Sequence, residues 1–356
     1  LSAPLSPNER FRRLFLLKNI DERLAKNGKP YLSLVFGTPE GDFEGRFWDM
    51  DAKSLPGLVE GDPVTVTGVA QLYQDRIQLV ADGMEKVESF VDPREIYPSS
   101  PLSEHELMGD FQAFTEEIKG DELRAVIGQM RKDEKVFNAF FRAPAARAMH
   151  HACIGGLAQH SLDVCRKALA LGEVSPGLDR DLLTAGALLH DIGKIREYEV
   201  AGDFRYSLDG KFIGHIVRGA AIVEGWMKEI PGFPERLGLE LLHIILSHHG
   251  QLELGSPKLP ATAEAMVIHY CDDLDAKLEM IHSTALQTKG PEAFVKGLRR
   301  TFQFRGEGES ERDVQRPTSN DQRQAGGEDV QRPAASNVRR QGKGVPREDD
   351  DQGELF

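Results

Sequence analysis

Cysteine is scarce in this chain, and its scarcity is informative. The three residues Cys153, Cys165 and Cys271 are odd in number, and their spacing fits neither a zinc knuckle nor a disulfide framework. They read as small buried side chains in a reducing compartment. Long apolar runs are missing as well. No stretch of eighteen apolar residues occurs, so no transmembrane helix is expected. The opening LSAPLSPNERFRR lacks the basic-then-apolar order of a secretory signal, and a cytoplasmic location is the expectation. Basic charge is in deficit: 44 Lys and Arg stand against 57 Asp and Glu, a net charge of −13. That excludes a broadly basic nucleic-acid binder. It leaves room for a narrow positive track along a single strand, or for an acidic site whose field is reversed by bound cations.

What is present divides into three parts. Residues 10–90 carry short, largely alternating β-branched and aromatic runs at 30–36 (PYLSLVF), 42–48 (DFEGRFW), 63–73 (PVTVTGVAQLY) and 76–80 (RIQLV). Turn residues separate them, including Asn27-Gly28 and Gly61-Asp62-Pro63. Several short strands in about eighty residues predict a small closed all-β barrel of OB type. Alternation sets Phe47 and Trp48 on opposite faces, with Phe47 expected inside and Trp48 outside. Residues 91–104 (VDPREIYPSSPLSE), rich in Pro and Ser, read as a linker.

From Ser103 the period becomes helical. Leu107, Phe111, Phe114 and Ile118 fall on one face, and Ser103 with Glu106 makes a capping box. Residues 105–300 read as successive amphipathic helices, an all-α domain whose motif core spans 146–285. The last segment, 305–356, holds almost no large apolar residues and is expected to be disordered. The pentapeptide DVQRP occurs there twice.

The chemistry lies in a series of imidazoles and carboxylates. His190 is followed at once by Asp191 in LLHDIGK, with His160 upstream and His215, His248, His249 and Asp272 downstream. Such groups hold a divalent ion while leaving positions for water and a phosphate oxygen. The stretch 182–190 (LLTAGALLH) is apolar and helical, so His190 and Asp191 are expected at the end of a buried helix, with Gly193 offering a break. Asp191 is able to serve one ion, or to bridge two through its two oxygens.

The series H…HD…H…HH…D resembles the HD superfamily of metal-dependent phosphohydrolases. More closely, APAARAMHHACIGGLAQHSLDV, LLHDIGKIREYE, GHI, SHHG and EAMVIHYCDDLDAK resemble the YhaM-type 3′-5′ exoribonucleases, which join an OB-fold to an HD domain. The resemblance is strong over about residues 135–290 and weak over the preceding β-rich segment. It implies a first metal site of His160, His190, Asp191 and Asp272. It implies a second of His215, His248 and His249, bridged by Asp191. Two readings of the extra histidines stand, as core residues beside one ion or as ligands of a second, and two ions are expected. Manganese or cobalt are the expected ions, although mixed nitrogen and oxygen ligation does not fix which.

Around this set, Lys194 and Asp191 are the expected catalytic residues, the lysine neutralising a phosphate oxygen. Asp275, one helical turn beyond Asp272, is expected to orient a ligand from behind. His150 and His151 are read as contacts to substrate phosphate or as structural residues. On the barrel, Arg46, Trp48, Tyr73 and Arg76 are expected to form a stacking and phosphate platform.

Metal hydrolysis alone suits a nucleotide or cyclic-nucleotide phosphohydrolase as well as a nuclease, and a metal site can be merely structural in a non-catalytic nucleic-acid-binding protein. The attached barrel favours a polymer, because a small-molecule enzyme has no need of a strand-tracking module. The expected activity is metal-dependent 3′-5′ hydrolysis of single-stranded RNA, with single-stranded DNA as a further substrate. Finally, the terminal QGELF resembles the QxxLF peptides that dock on the bacterial DNA polymerase sliding clamp. Gln352, Leu355 and Phe356 are its expected contacts.

Overall fold

The computed structural model describes residues 5–51, 55, 57–74, 76–89, 91–147, 151–201, 203–288 and 290–304. Five strands build the N-terminal part: β1 (Arg10–Leu24), β2 (Pro30–Thr38), β3 (Gly41–Trp48), β4 (Pro63–Tyr73) and β5 (Arg76–Lys86). They close into a barrel in the order β1-β2-β3-β5-β4, with β4 returning to β1. The pairing of β3 with β5 is parallel and the others are antiparallel. This is OB-type strand order.

Alternation along β4 turns Val64, Val66 and Ala70 inward. Gly68 shares their face, because a Cβ there would stand 2.2 Å from the carbonyl oxygen of Val80 across the bulge. Phe47 is buried and Trp48 exposed, as the alternation predicts. The strand that the sequence did not single out is β1. Its run Phe15-Leu16-Leu17 is buried throughout, with Phe15 and Leu17 in the barrel core and Leu16 in a separate cluster outside it. A strand covered on both faces loses the period-two signature.

That outer cluster corrects the reading of residues 91–104 as a linker. Ile96 and Tyr97 pack with Leu16, Ile154 and Phe204, and Ser99 pairs with Ile154 in a parallel bridge. Asp92 caps the short turn Pro93–Glu95. The Pro and Ser composition marks irregular backbone, but buried aromatic and aliphatic side chains fasten it between barrel and helices.

The helices are α1 (Glu104–Glu116), α2 (Asp121–Lys132), α3 (Glu134–Phe140), α4 (Gly156–Val174), α5 (Arg180–Leu189), α6 (Lys194–Glu197), α7 (Leu208–Phe212), α8 (His215–Lys228), α9 (Glu235–Ser247) and α10 (Ala263–Gln287). Ser103 and Glu106 form the capping box of α1. Two short hairpins interrupt this helical part, β6 (Tyr198–Ala201) with β7 (Asp203–Tyr206) and β8 (Glu292–Val295) with β9 (Arg300–Gln303).

One apolar core joins α1 to α5 with α8, α9 and α10. Every residue from Leu182 to Leu189 is buried, so α5 is the central helix. Gly186 lets α9 come close, since a Cβ would lie 2.8 Å from Ile244 Cδ1. The C-terminal ends of α5 and α9 are thereby brought together. Residues 305–356, including DVQRP and QGELF, lie outside the described residues.

Candidate metal centre

Five helices deliver the site. His160 sits in the second turn of α4, His190 caps the C-terminus of α5, His248 caps that of α9, and Asp272 and Asp275 project from α10. His215 opens α8. Two helix C-termini meeting here add partial negative charge that favours a cation. Gly193 stands in the break between α5 and α6, and close approach is what requires a glycine there. Its backbone is right-handed, and a Cβ would fall 1.9 Å from the carbonyl oxygen of His215. The missing side chain lets α8 present His215 to the His-Asp pair.

Asp191 is the geometric centre. Its Oδ2 lies 3.5 Å from His160 Nε2 and 3.4 Å from His190 Nε2, while its Oδ1 lies 3.4 Å from both His215 Nε2 and His248 Nε2. On the Oδ2 side, Asp272 Oδ1 stands 3.1 Å from His160 Nε2 and 3.9 Å from His190 Nε2. On the other side His249 groups with His215 and His248. Donors that share one ion at about 2.0–2.2 Å lie roughly 3 to 4 Å apart, the spacing found around each Asp191 oxygen, and the His249 donor lies within 4.8 Å of those of His215 and His248. Asp191 Oδ1, His215 Nε2 and His248 Nε2 are buried without a hydrogen-bond partner, and Asp191 Oδ2 meets the Lys194 ammonium. Buried polar atoms are normally satisfied, and a convergent group of orphans fits divalent cations.

Each imidazole is also anchored through its other nitrogen. His160 Nδ1 contacts Asp275 Oδ2 at 2.6 Å, and His215 Nδ1 contacts Glu197 Oε1 at 2.9 Å. His190, His248 and His249 use Nδ1 against the carbonyls of Ala187, Ile245 and Leu254, at 2.7, 2.8 and 2.7 Å. In a neutral ring, donation from Nδ1 to these oxygens leaves Nε2 with a lone pair, the tautomer that ligation requires.

The electrostatics follow from burial set against neighbouring charge. Burial works to raise Asp191, but Lys194 and His190 outweigh it and hold this carboxyl well below the usual range. Asp272 is lowered in the same way by His160 and His190, against its own burial. Burial opposes the charge on His160, yet hydrogen bonds to Asp272 and Asp275 lift its pKa to about 10. Burial lowers His248 and His249, which keeps them neutral. Lys194 is buried with Nζ 2.6 Å from Asp191 Oδ2. Desolvation would lower it, but Asp191 and Asp272 prevail and its pKa is raised.

The other expected residues fall in different places. Asp275 stands behind His160 and is also held by Lys167 Nζ at 2.6 Å. His151 is buried, with Nε2 3.1 Å from Asp275 Oδ2, so it supports the same carboxylate and does not offer itself to a phosphate. His150 lies outside the described residues. Glu197 and Lys167 went unread in the sequence. Glu197 is one turn beyond Lys194, and Lys167 is two turns beyond His160, spacings that would have put them on the same helical faces.

On the barrel, Arg46, Trp48 and Tyr73 line an open groove of about 620 Å³ together with Tyr31, Lys26 and Gln78. The Tyr31 and Trp48 rings lie 4.7 Å apart, and the Arg46 guanidinium lies 6.0 Å from the Tyr31 ring centre. Arg76 is exposed opposite Tyr73 on the neighbouring strand and is not among the groove residues. Tyr31 was missed because a single aromatic at a strand start carries no local mark.

Comparison with known proteins places the metal cluster in context. The HD domain family model matches residues 157–277. The 3′-5′ exoribonuclease YhaM of Shouchella clausii (strain KSM-K16) is 34% identical over 281 residues, covering 78% of this chain and 87% of that protein. The protein of the same name from Geobacillus sp. (strain WCH70) is 34% identical over 291 residues, covering 80% and 87%. That of Bacillus subtilis (strain 168) is 32% identical over 275 residues, covering 77% and 87%. Among solved structures, the second OB-fold domain of replication protein A from Methanococcus maripaludis matches 24% of this chain and 91% of that one, at 19% identity and a TM-score of 0.20.

A protonated His160 must lose its proton before Nε2 can bind an ion. Divalent-metal affinity should therefore rise with pH by about tenfold per unit until the pH reaches the His160 pKa of about 10, because one proton is displaced. Calorimetric titration of Mn²⁺ into the metal-free protein, in buffers of different ionisation enthalpy, measures the proton released. Affinity independent of pH, with no proton release, would contradict the His160 assignment.

Proposed function

We propose a function from the premise that this chain belongs to the family of YhaM-type 3′-5′ exoribonucleases: it is a metal-dependent hydrolase that removes nucleotides from the 3′ end of single-stranded RNA. The observation that carries the reading is Asp191, whose two buried oxygens face two separate groups of imidazoles. Single-stranded DNA is proposed as a further substrate. No described helix is long and apolar enough to cross a membrane, and we place the protein in the cytoplasm, where three unpaired cysteines are at home.

His160, His190, Asp191 and Asp272 would hold one divalent ion, and Asp191, His215, His248 and His249 a second, manganese or cobalt being our assignment. When bound, such ions supply Lewis acidity to a phosphate oxygen and acidify a water. The chain does the positioning. Nδ1 anchors fix the imidazoles, and burial excludes bulk water from Asp191. Lys194, kept charged beside that carboxylate, is placed to neutralise a phosphate oxygen as negative charge builds.

The barrel groove is proposed as the grip on the strand, with the Tyr31 and Trp48 rings for bases and Arg46 for the backbone. Tyr73 extends the aromatic surface, and Arg76 adds an exposed charge beside it. This division accounts for an acidic protein acting on a polyanion: the positive track is local.

Removing the central ligand should remove the chemistry. Asp191→Ala should reduce decay of end-labelled RNA by about 10³-fold or more, a barrier increase of several kcal/mol, while far-UV circular dichroism stays helical. Undiminished RNA cleavage by this variant would defeat the assignment.

Base stacking on one aromatic is worth about 1–3 kcal/mol, so Trp48→Ala should weaken single-stranded RNA binding by about 5- to 150-fold. Fluorescence anisotropy with a labelled oligonucleotide measures it, with hydrolysis of bis-p-nitrophenyl phosphate as the reference for the metal site. RNA affinity equal to that of the unaltered protein would remove the groove from the substrate path.

For the tail, the proposal rests on sequence alone. Gln352, Leu355 and Phe356, outside the described residues, would dock on a bacterial sliding clamp. A labelled peptide of residues 345–356 should bind the clamp more tightly than a control carrying Leu355→Ala and Phe356→Ala. Equal binding by the two peptides would leave the tail without this partner.

A further inference from the structure

Helix α10 presents two opposite faces. One carries Asp272 and Asp275 toward the metal cluster, with Ala265, Ile268 and Cys271 in the core. The other leaves Met266, Tyr270, Leu274 and Leu278 exposed at 41%, 60%, 47% and 47%, a ridge of strict i, i+4 spacing. An i, i+4 ridge is the element by which helices interlock in the most common packing class.

The face is also complementary to itself. Asp273 and Lys277 flank the ridge, paired with one another across one turn and each about half exposed. A two-fold axis near Ala276 would set Leu274 against Leu278 of a second copy and Tyr270 against its His282. The same axis would bring each Asp273 within reach of the other copy's Lys277. An isologous contact needs this reciprocity of apolar and charged positions along one element.

We propose that the outer face of α10 is a two-fold interface between copies of this chain, centred on Leu274 and Leu278. The occupant is a second α10, packed ridge against ridge. The metal ligands on the opposite face of the helix then rest on a backbone braced from both sides.

Sedimentation of the full-length chain at micromolar concentration tests this by mass, a readout that does not depend on the nuclease assignment. The unaltered protein should sediment as an even number of copies, and Leu274→Glu with Leu278→Glu should halve the mass. Circular dichroism checks that the variant is folded. Should it fail to fold, the flanking charges supply the second test. Lys277→Asp alone should raise the dissociation constant by about tenfold, and Asp273→Lys combined with Lys277→Asp should restore it. An unaltered chain that stays a single copy overturns the proposal, whatever else covers the face, residues 305–356 included. An association that survives these folded variants unchanged overturns it equally, since the contact would then lie elsewhere.

Discussion

The structure depends on the burial of one carboxylate. Asp191 is almost fully enclosed, and an ionised carboxylate so placed costs several kcal/mol unless opposite charge surrounds it. Lys194 provides part of that charge at Oδ2, and imidazole nitrogens line both oxygens, yet Oδ1 makes no hydrogen bond. The arrangement resolves when cations complete it. A protein stabilised only for its own sake would have filled this position with an apolar side chain, so the retained charge points to ion binding.

Holding that carboxylate in register requires the surrounding elements to be stiff. The uniformly apolar α5 ends at His190, and α9 ends at His248 beside it. Gly186 and Gly193 remove the Cβ atoms that would keep α9 and α8 away. Behind the imidazoles, Asp275, Glu197 and three backbone carbonyls fix the ring tautomers. Asp275 itself is shared among His151, His160 and Lys167, so it has little freedom to turn. The chemistry of the site is thus set by helix ends, two glycines and a ring of anchors.

Barrel and helical part are joined by buried side-chain contacts. Leu16 lies outside the barrel core and meets Ile96, Tyr97, Ile154 and Phe204, and Ile154 comes only six residues before His160. The barrel is therefore packed against the helical part that holds the metal centre. This also explains why a Pro- and Ser-rich segment can be structural: composition reports the backbone it favours, whereas a few large side chains decide whether it packs.

The sequence by itself determined which imidazoles and carboxylates were candidates for the cluster, and the two-part architecture. Imidazoles and carboxylates declare themselves by type, and the periods of two and of about 3.6 separate barrel from helices. Phe47 inside and Trp48 outside needed only alternation. Tertiary structure decided what depends on groups distant in the chain. His160 and Asp275 are 115 positions apart, and no local pattern tells which ring nitrogen faces which oxygen. The same holds for His151, read as a phosphate contact or a structural residue and found against Asp275, for Glu197 behind His215, and for Tyr31 beside Trp48. Gly193 is legible as a helix break because local rules see backbone freedom. What requires a glycine there, the carbonyl of His215 where a Cβ would stand, exists only once α8 is packed against it.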